Sequence, residues 1–102
     1  MTTSDLLTNS QLQDICAKYF VRELYAFGSA VREEWKEGSD LDFVVTFQPG
    51  MDPLSMGKAF LDLHYALESL FDCPVDLVSY RTLKNPAFKA NVDATKVSVY
   101  AA

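Results

Sequence analysis

Residues 41–47, Leu-Asp-Phe-Val-Val-Thr-Phe, are so rich in β-branched and aromatic side chains that they predict a buried strand, and everything else in the chain must pack around it. A second β-like run, Val21 to Phe27, carries Val21, Leu24, Tyr25 and Phe27 and stops at Gly28-Ser29, which reads as a strand running into a turn. Ser10 followed by Gln13 has the form of a capping box, and Leu12, Ile15, Cys16 and Tyr19 recur at helical spacing, so a helix is expected from Gln11 to Phe20. Ala30 to Trp35 suits a short helical segment, and Pro49, Gly50, Asp52 and Pro53 mark a loop. Phe60, Leu63, Leu67 and Leu70 place the longest helix over Leu54 to Phe71. Val75 to Ser79 is a short β-like run, Leu83 to Ala94 reads as a last helix entered through Asn85-Pro86, and Thr95 to Ala102 fits neither pattern cleanly. With no repeat or linker, the expectation is one domain over residues 1–102, an α+β unit with a small mixed β-sheet packed with helices.

A domain of 102 residues can fold alone, but one of this size buries only about 60 to 70% of the surface its unfolded chain exposes. Apolar types make up 49% of the chain, enough for a core and for some surface offered to a partner. The net charge of −5 argues against gripping a phosphate backbone, which needs surplus Lys and Arg, so direct nucleic-acid binding is not expected. Cys16 and Cys73 stand far apart with no metal-ligand spacing and read as reduced thiols. No basic leader or membrane-length apolar stretch is present, and the expectation is a cytoplasmic protein without a membrane partner.

The chemistry concentrates in Phe27 to Val45, FGSAVREEWKEGSDLDFVV. Asp40 and Asp42 occupy alternate positions at the start of a strand, where side chains alternate between faces, so both carboxylates point to one side. Carboxylates this close repel and raise each other's pKa unless a cation lies between them, and a hard ion with oxygen ligands such as Mg²⁺ meets that need. The plainer reading is a solvated pair where the strand begins. Gly28-Ser29 ends the preceding strand at a turn with unpaired backbone N–H groups, where a phosphate can settle: Gly28 has no Cβ in the way and Ser29 adds a hydroxyl donor. Most Gly-Ser pairs are ordinary turns, and this one gains weight because the strand after it bears the aspartates.

Gly28-Ser29, a spacer containing a basic residue, and then Ser39-Asp40-Leu41-Asp42 resemble the signature of the DNA polymerase β-like nucleotidyltransferases, specifically the minimal (MNT) members. The resemblance covers nearly the whole chain. It implies a third carboxylate on a later strand, and Asp76 in Pro74-Val75-Asp76-Leu77-Val78 is in the matching place; Asn85-Pro86 and Val97 to Tyr100 also look like the family's closing segments. It further implies a two-metal mechanism, with Asp40, Asp42 and Asp76 holding two Mg²⁺ ions and Gly28, Ser29, Ser39 and Arg32 binding the nucleotide, ATP being the expected donor. Asp76 is the best candidate to help deprotonate the acceptor hydroxyl. The chain departs from the family loop after Arg32, where Glu33 and Glu34 replace the usual glycine and bring negative charge toward a triphosphate.

With the whole 102-residue stretch taken up by the expected fold, the acceptor is expected to be presented by another molecule. Stand-alone members of the family are often antitoxins that move AMP onto a tyrosine of a HEPN-type ribonuclease toxin, and the resemblance implies that role here, in a hetero-oligomer. Two other readings compete: a binding module that masks its partner without catalysis, and an enzyme acting on a cationic small molecule such as an aminoglycoside. His64, beside the apolar stripe of the long helix, reads as a packing residue without a catalytic role. Trp35 and Tyr25 read as core before stacking platforms, and Asp14, Glu23, Asp62 and Glu68 as solvated faces.

Overall fold

A computed structural model describes residues 9–27 and 41–102. Its elements are α1 (Ser10–Lys18), β1 (Val21–Phe27), β2 (Leu41–Phe47), α2 (Pro53–Phe71), β3 (Val75–Ser79), a 3₁₀ turn (Tyr80–Thr82), α3 (Pro86–Thr95) and β4 (Val97–Ala101). The strands form one mixed sheet in the order β3-β2-β1-β4. β1 is antiparallel to both β2 and β4, and β3 lies parallel to β2. The α+β expectation holds. Among the described residues no helix is long and apolar enough to cross a membrane.

Helix α1 is capped one residue before the expected cap, and so begins at Ser10 itself. The Asn9 carboxamide accepts from Leu12 N at 3.0 Å, while Gln13, expected to close a capping box with Ser10, instead donates its Nε2 to Val99 O at 2.9 Å and ties α1 to β4. Asn is as good a cap as Ser, and a long-range partner for Gln13 decides between them. The helix stops at Lys18, short of the expected Phe20, because Phe20 takes a left-handed φ of 63° and turns the chain into β1. Asp52 caps α2 through Ser55 N at 2.9 Å with Pro53 in the first turn, and left-handed Asp72 ends it. Gly50, at φ +89°, supplies the bend that leads into this helix.

Helix α3 starts at Pro86 rather than Leu83. Asn85 accepts from Ala87 N and Phe88 N, and proline is pre-shaped for the first helical position, whereas Leu83 is extended. The ambiguous tail becomes edge strand β4, stabilised by its pairing with β1.

Two clusters cover the two faces of the sheet. On the first, Leu12 and Cys16 of α1 and Ala59, Leu63, Leu67 and Phe71 of α2 pack on Leu24, Ala26, Leu41, Phe43, Val45, Val75 and Leu77. Phe43 and Phe71 stack there at 6.1 Å. On the second, Val92 of α3 packs on Phe27 and Val44, with Tyr25, Val78 and Tyr80 partly buried around them. A bulge between Val21 and Glu23 lets Val21 and Leu24 share the first face despite their odd spacing.

Candidate active site

Strand alternation decides where the carboxylates go. Leu41, Phe43, Val45 and Phe47 of β2 belong to the first face, so Asp42 shares the second face with Val44; by the same alternation Asp76 of β3 shares that face with Val78. The parallel register pairs Asp42 with Asp76, and the antiparallel register pairs Asp42 with Phe27. A row therefore runs across the sheet: Asp76, Asp42, Phe27. Neighbouring strands lie about 4.8 Å apart, which brings the two carboxylates near enough to share a cation. Asp42 is half-buried and Asp76 exposed.

The next row inward is Val78, Val44 and Tyr25, and this is where Val92 of α3 rests. Phe88, in the first turn of α3, meets Phe27 edge-on at 5.9 Å, so the carboxylate row is bordered on its β1 side by aromatic rings. Beyond them lies a polar cluster that the sequence did not single out. Lys96 Nζ pairs with Asp93 at 3.1 Å and sits over the rings of Tyr25 and Tyr80, at 4.6 and 5.0 Å from their centres. Tyr80 donates its hydroxyl to Asp93 at 2.9 Å, and Tyr25 donates to Glu23. The Glu23 hydrogen bond, then burial and the Glu23 charge, push the Tyr25 phenol up to about 12. Only the position of Lys96 just before a terminal strand that pairs with β1 would have pointed to it; lone lysines carry no signature.

The start of β3 is clipped from the first face. His64 Nε2 donates to Val75 O at 2.8 Å, Glu68 accepts from Val75 N at 3.1 Å, and Leu41 N donates to Pro74 O at 3.1 Å. These bonds hold the residue before Asp76 on both sides of its backbone and so fix the register that sets Asp76 beside Asp42. His64 thus acts as the packing residue expected, in a hydrogen-bonding form. Glu68 does not sit on a solvated face; it is half-buried because a strand edge offers it an unpaired N–H. Glu23 and Asp62 are half-buried as well, and Asp14 is exposed as expected.

Asp40, Gly28, Ser29, Arg32 and Ser39 lie outside the described residues, with Glu33, Glu34, Trp35 and the short helix expected at Ala30 to Trp35. The residues that flank this segment, Phe27 and Leu41, are at the same end of the sheet as Asp42. Among the described residues no group of three metal-ligating side chains occurs, and Asp42 and Asp76 form the pair. As adjacent oxygen donors on neighbouring strands they fit a hard divalent cation, since like charges in directly opposed positions otherwise destabilise a sheet. An open, largely apolar groove of about 560 Å³, lined by Phe47, Met56, Phe60, Leu77 and Arg81, lies at the opposite end of β2 and β3 and includes neither aspartate.

A mixed sheet that sets Asp42 and Asp76 side by side next to the end of β1 offers paired carboxylates suited to a divalent cation. The chain belongs to the family described as Polymerase beta, Nucleotidyltransferase, which matches residues 10–102. It is similar to the protein adenylyltransferase MntA of Thermococcus cleftensis, 38% identical over 73 residues that span 72% of this chain and 70% of that protein. Its fold is similar to a solved minimal nucleotidyltransferase, with a TM-score of 0.65, 31% identity and 95% of both chains covered. It also resembles a chain from the complex of a tri-AMPylated Shewanella oneidensis HEPN toxin with an MNT antitoxin, with a TM-score of 0.64, 18% identity, and 99% of this chain and 74% of that one covered.

Proposed function

We propose that this chain is a Mg²⁺-dependent protein adenylyltransferase that moves AMP from ATP onto a hydroxyl, a tyrosine's, of a HEPN-type toxin and so acts as its antitoxin in a cytoplasmic hetero-oligomer. The observation that carries the reading is the register pairing of Asp42 with Asp76 on the sheet face that α3 leaves open at its rim. The family supplies the reaction class, and the similarity to MntA and to an antitoxin found with an AMPylated toxin supports the donor, the acceptor and the partner.

In this reading Asp40, Asp42 and Asp76 hold two Mg²⁺ ions, and Gly28, Ser29, Ser39 and Arg32 hold the triphosphate. Cations held there would supply positive charge to the phosphates and to the attacking oxygen. The acceptor oxygen bonds to the α-phosphorus in line with the bond to the departing pyrophosphate oxygen, and the hydroxyl proton passes to Asp76. Asp76 suits this task because it is the exposed member of the pair, on an edge strand that an incoming protein can reach. Phe27 and Phe88 keep one flank of the carboxylates apolar, which strengthens their grip on a cation by limiting water.

The test is to incubate the chain with Mg²⁺, labelled ATP and a candidate HEPN-type toxin, next to the Asp40→Asn/Asp42→Asn double variant. A mass gain of AMP units on a toxin tyrosine with the wild type alone is the expected result. Tight binding and neutralisation without any transfer, with each of the four nucleotides, would leave a masking module instead.

A further inference from the structure

The long helix α2 has two apolar stripes, and the core uses only one. Ala59, Leu63, Leu67 and Phe71 face the sheet. Leu54, Leu61 and Tyr65 lie on the opposite side of the same helix and are 84%, 53% and 64% exposed. With Lys58 they fall at i, i+4, i+7 and i+11, the spacing of a seam that packs against another helix along its length. Scattered surface leucines need no explanation, but three large apolar groups aligned over three turns of helix, interrupted only by the long aliphatic stem of Lys58, do.

We infer that this stripe is the interface of a symmetric dimer, in which α2 packs antiparallel against α2 of a second copy of this chain. The charges beside the seam support that occupant. A two-fold axis midway along the stripe brings like flanks together, so that when Leu54 lies opposite Tyr65 of the second copy, Lys58 lies opposite Leu61 of that copy and one residue from its Asp62, and the symmetry repeats each contact. Lys58 and Asp62 stand on the same flank, and among the described residues neither makes an ion pair. The Lys58 stem covers Leu61 across the seam while its ammonium reaches the Asp62 carboxylate. Gly57, with nothing within 4 Å of where a Cβ would project, lets the two helices approach closely near the axis.

The location of the stripe agrees with this. It lies outside α2 on the first face, whereas Asp42 and Asp76 lie on the second, so an acceptor-bearing protein at the carboxylates approaches from the other side of the sheet. Packing back to back leaves both sites of the dimer open.

Sedimentation velocity and light scattering on the purified chain test this without any toxin present. The wild type is expected at twice the mass of one chain at micromolar concentration, and Leu61→Lys at the mass of one, with an unchanged far-ultraviolet spectrum. Lys58→Asp is expected to weaken the dimer at least tenfold, and Lys58→Asp with Asp62→Lys to restore it. A wild type that stays monomeric at high concentration overturns the proposal, as does a double exchange that fails to restore. A monomer whose binding to the toxin is lost in Leu61→Lys also overturns it and gives the stripe to that partner. AMP transfer is measured separately: a monomer that transfers sinks the dimer alone, and a dimer that does not transfer sinks the adenylyltransferase reading alone.

Discussion

The two faces of the sheet use the same strands for opposite ends. Toward α1 and α2, strand β2 presents Leu41, Phe43 and Val45 to a continuous core, and among the described residues no polar side chain is buried. Toward α3 the same strand presents Asp42 and Val44, and the cover is a ten-residue helix with one fully buried side chain, Val92. The half-buried side chains on that second face include Tyr25 and Tyr80, whose hydroxyls carry hydrogen bonds. A thick apolar layer on one side allows the other to be thin, polar and partly open, which is what a site holding charged substrates requires. Stability should therefore reside on the first face and chemistry on the second.

The sharpest way to break this division is to change one charge on the second face. Asp42→Asn should lower AMP transfer by about 10² to 10³-fold, the usual cost of removing one charge-stabilising group from a reaction centre. Its stability to urea should stay within about 0.5 kcal/mol of the wild type, since no apolar contact is lost. A large loss of stability in this variant would mean that Asp42 serves the fold. Leu63→Ala, fully buried on the first face, should do the reverse. Its expected cost is about 2 to 5 kcal/mol in urea unfolding, with transfer by the folded fraction unchanged. Val92→Ala, buried on the second face, removes two carbons from a thinner layer that can collapse around the gap, and should cost about 1.5 kcal/mol. If Val92→Ala costs as much as Leu63→Ala, the second face is a core in its own right and the contrast fails.

The same contrast explains what the sequence could reveal. The spans of β1, β2 and β3 were legible because each carries its own β-forming residues, and the long helix because its apolar stripe, Phe60 to Leu70, repeats over about three turns. The cap of α1 at Asn9, the start of α3 at Pro86 and the strand β4 depended on partners elsewhere: Gln13 chooses Val99, and Val97 to Ala101 become a strand only beside β1. Asp76 was visible as a candidate through a family resemblance, but its place beside Asp42 comes from the register of β3, which the Val75 backbone bonds to His64 and Glu68 secure. No local pattern encodes a register. Gly28, Ser29 and Asp40 were candidates from the sequence pattern and Arg32 and Ser39 from the family resemblance, and all five lie outside the described residues.

The smallest expected effect concerns acid, and it also separates the two faces. On the second face, hydrogen bonds from Lys96 and then Tyr80 hold the Asp93 carboxyl below its ordinary value, and the bond to Asp93 raises the Tyr80 phenol. A carboxylate with a lowered folded pKa adds stability above its unfolded value of about 3.9 and loses it as pH falls through the folded value. A phenol with a raised folded pKa adds stability below its unfolded value of about 10 and loses it as pH rises through the folded one. Asp93→Asn should therefore be slightly less stable than the wild type between those limits, and the gap should close toward pH 3 as the wild type takes up the proton. Asp93 is exposed and Tyr80 only half-buried, so solvent screens the effect and it stays small. Other carboxylates titrate alike in both proteins and cancel in the difference, so unfolding at pH 7, 4 and 3 isolates this cluster. Leu63→Ala offers the control, because a purely apolar contact gives a gap with no such pH dependence. A gap for Asp93→Asn that does not change with pH would mean that the mutation acts through the packing of α3 rather than through charge.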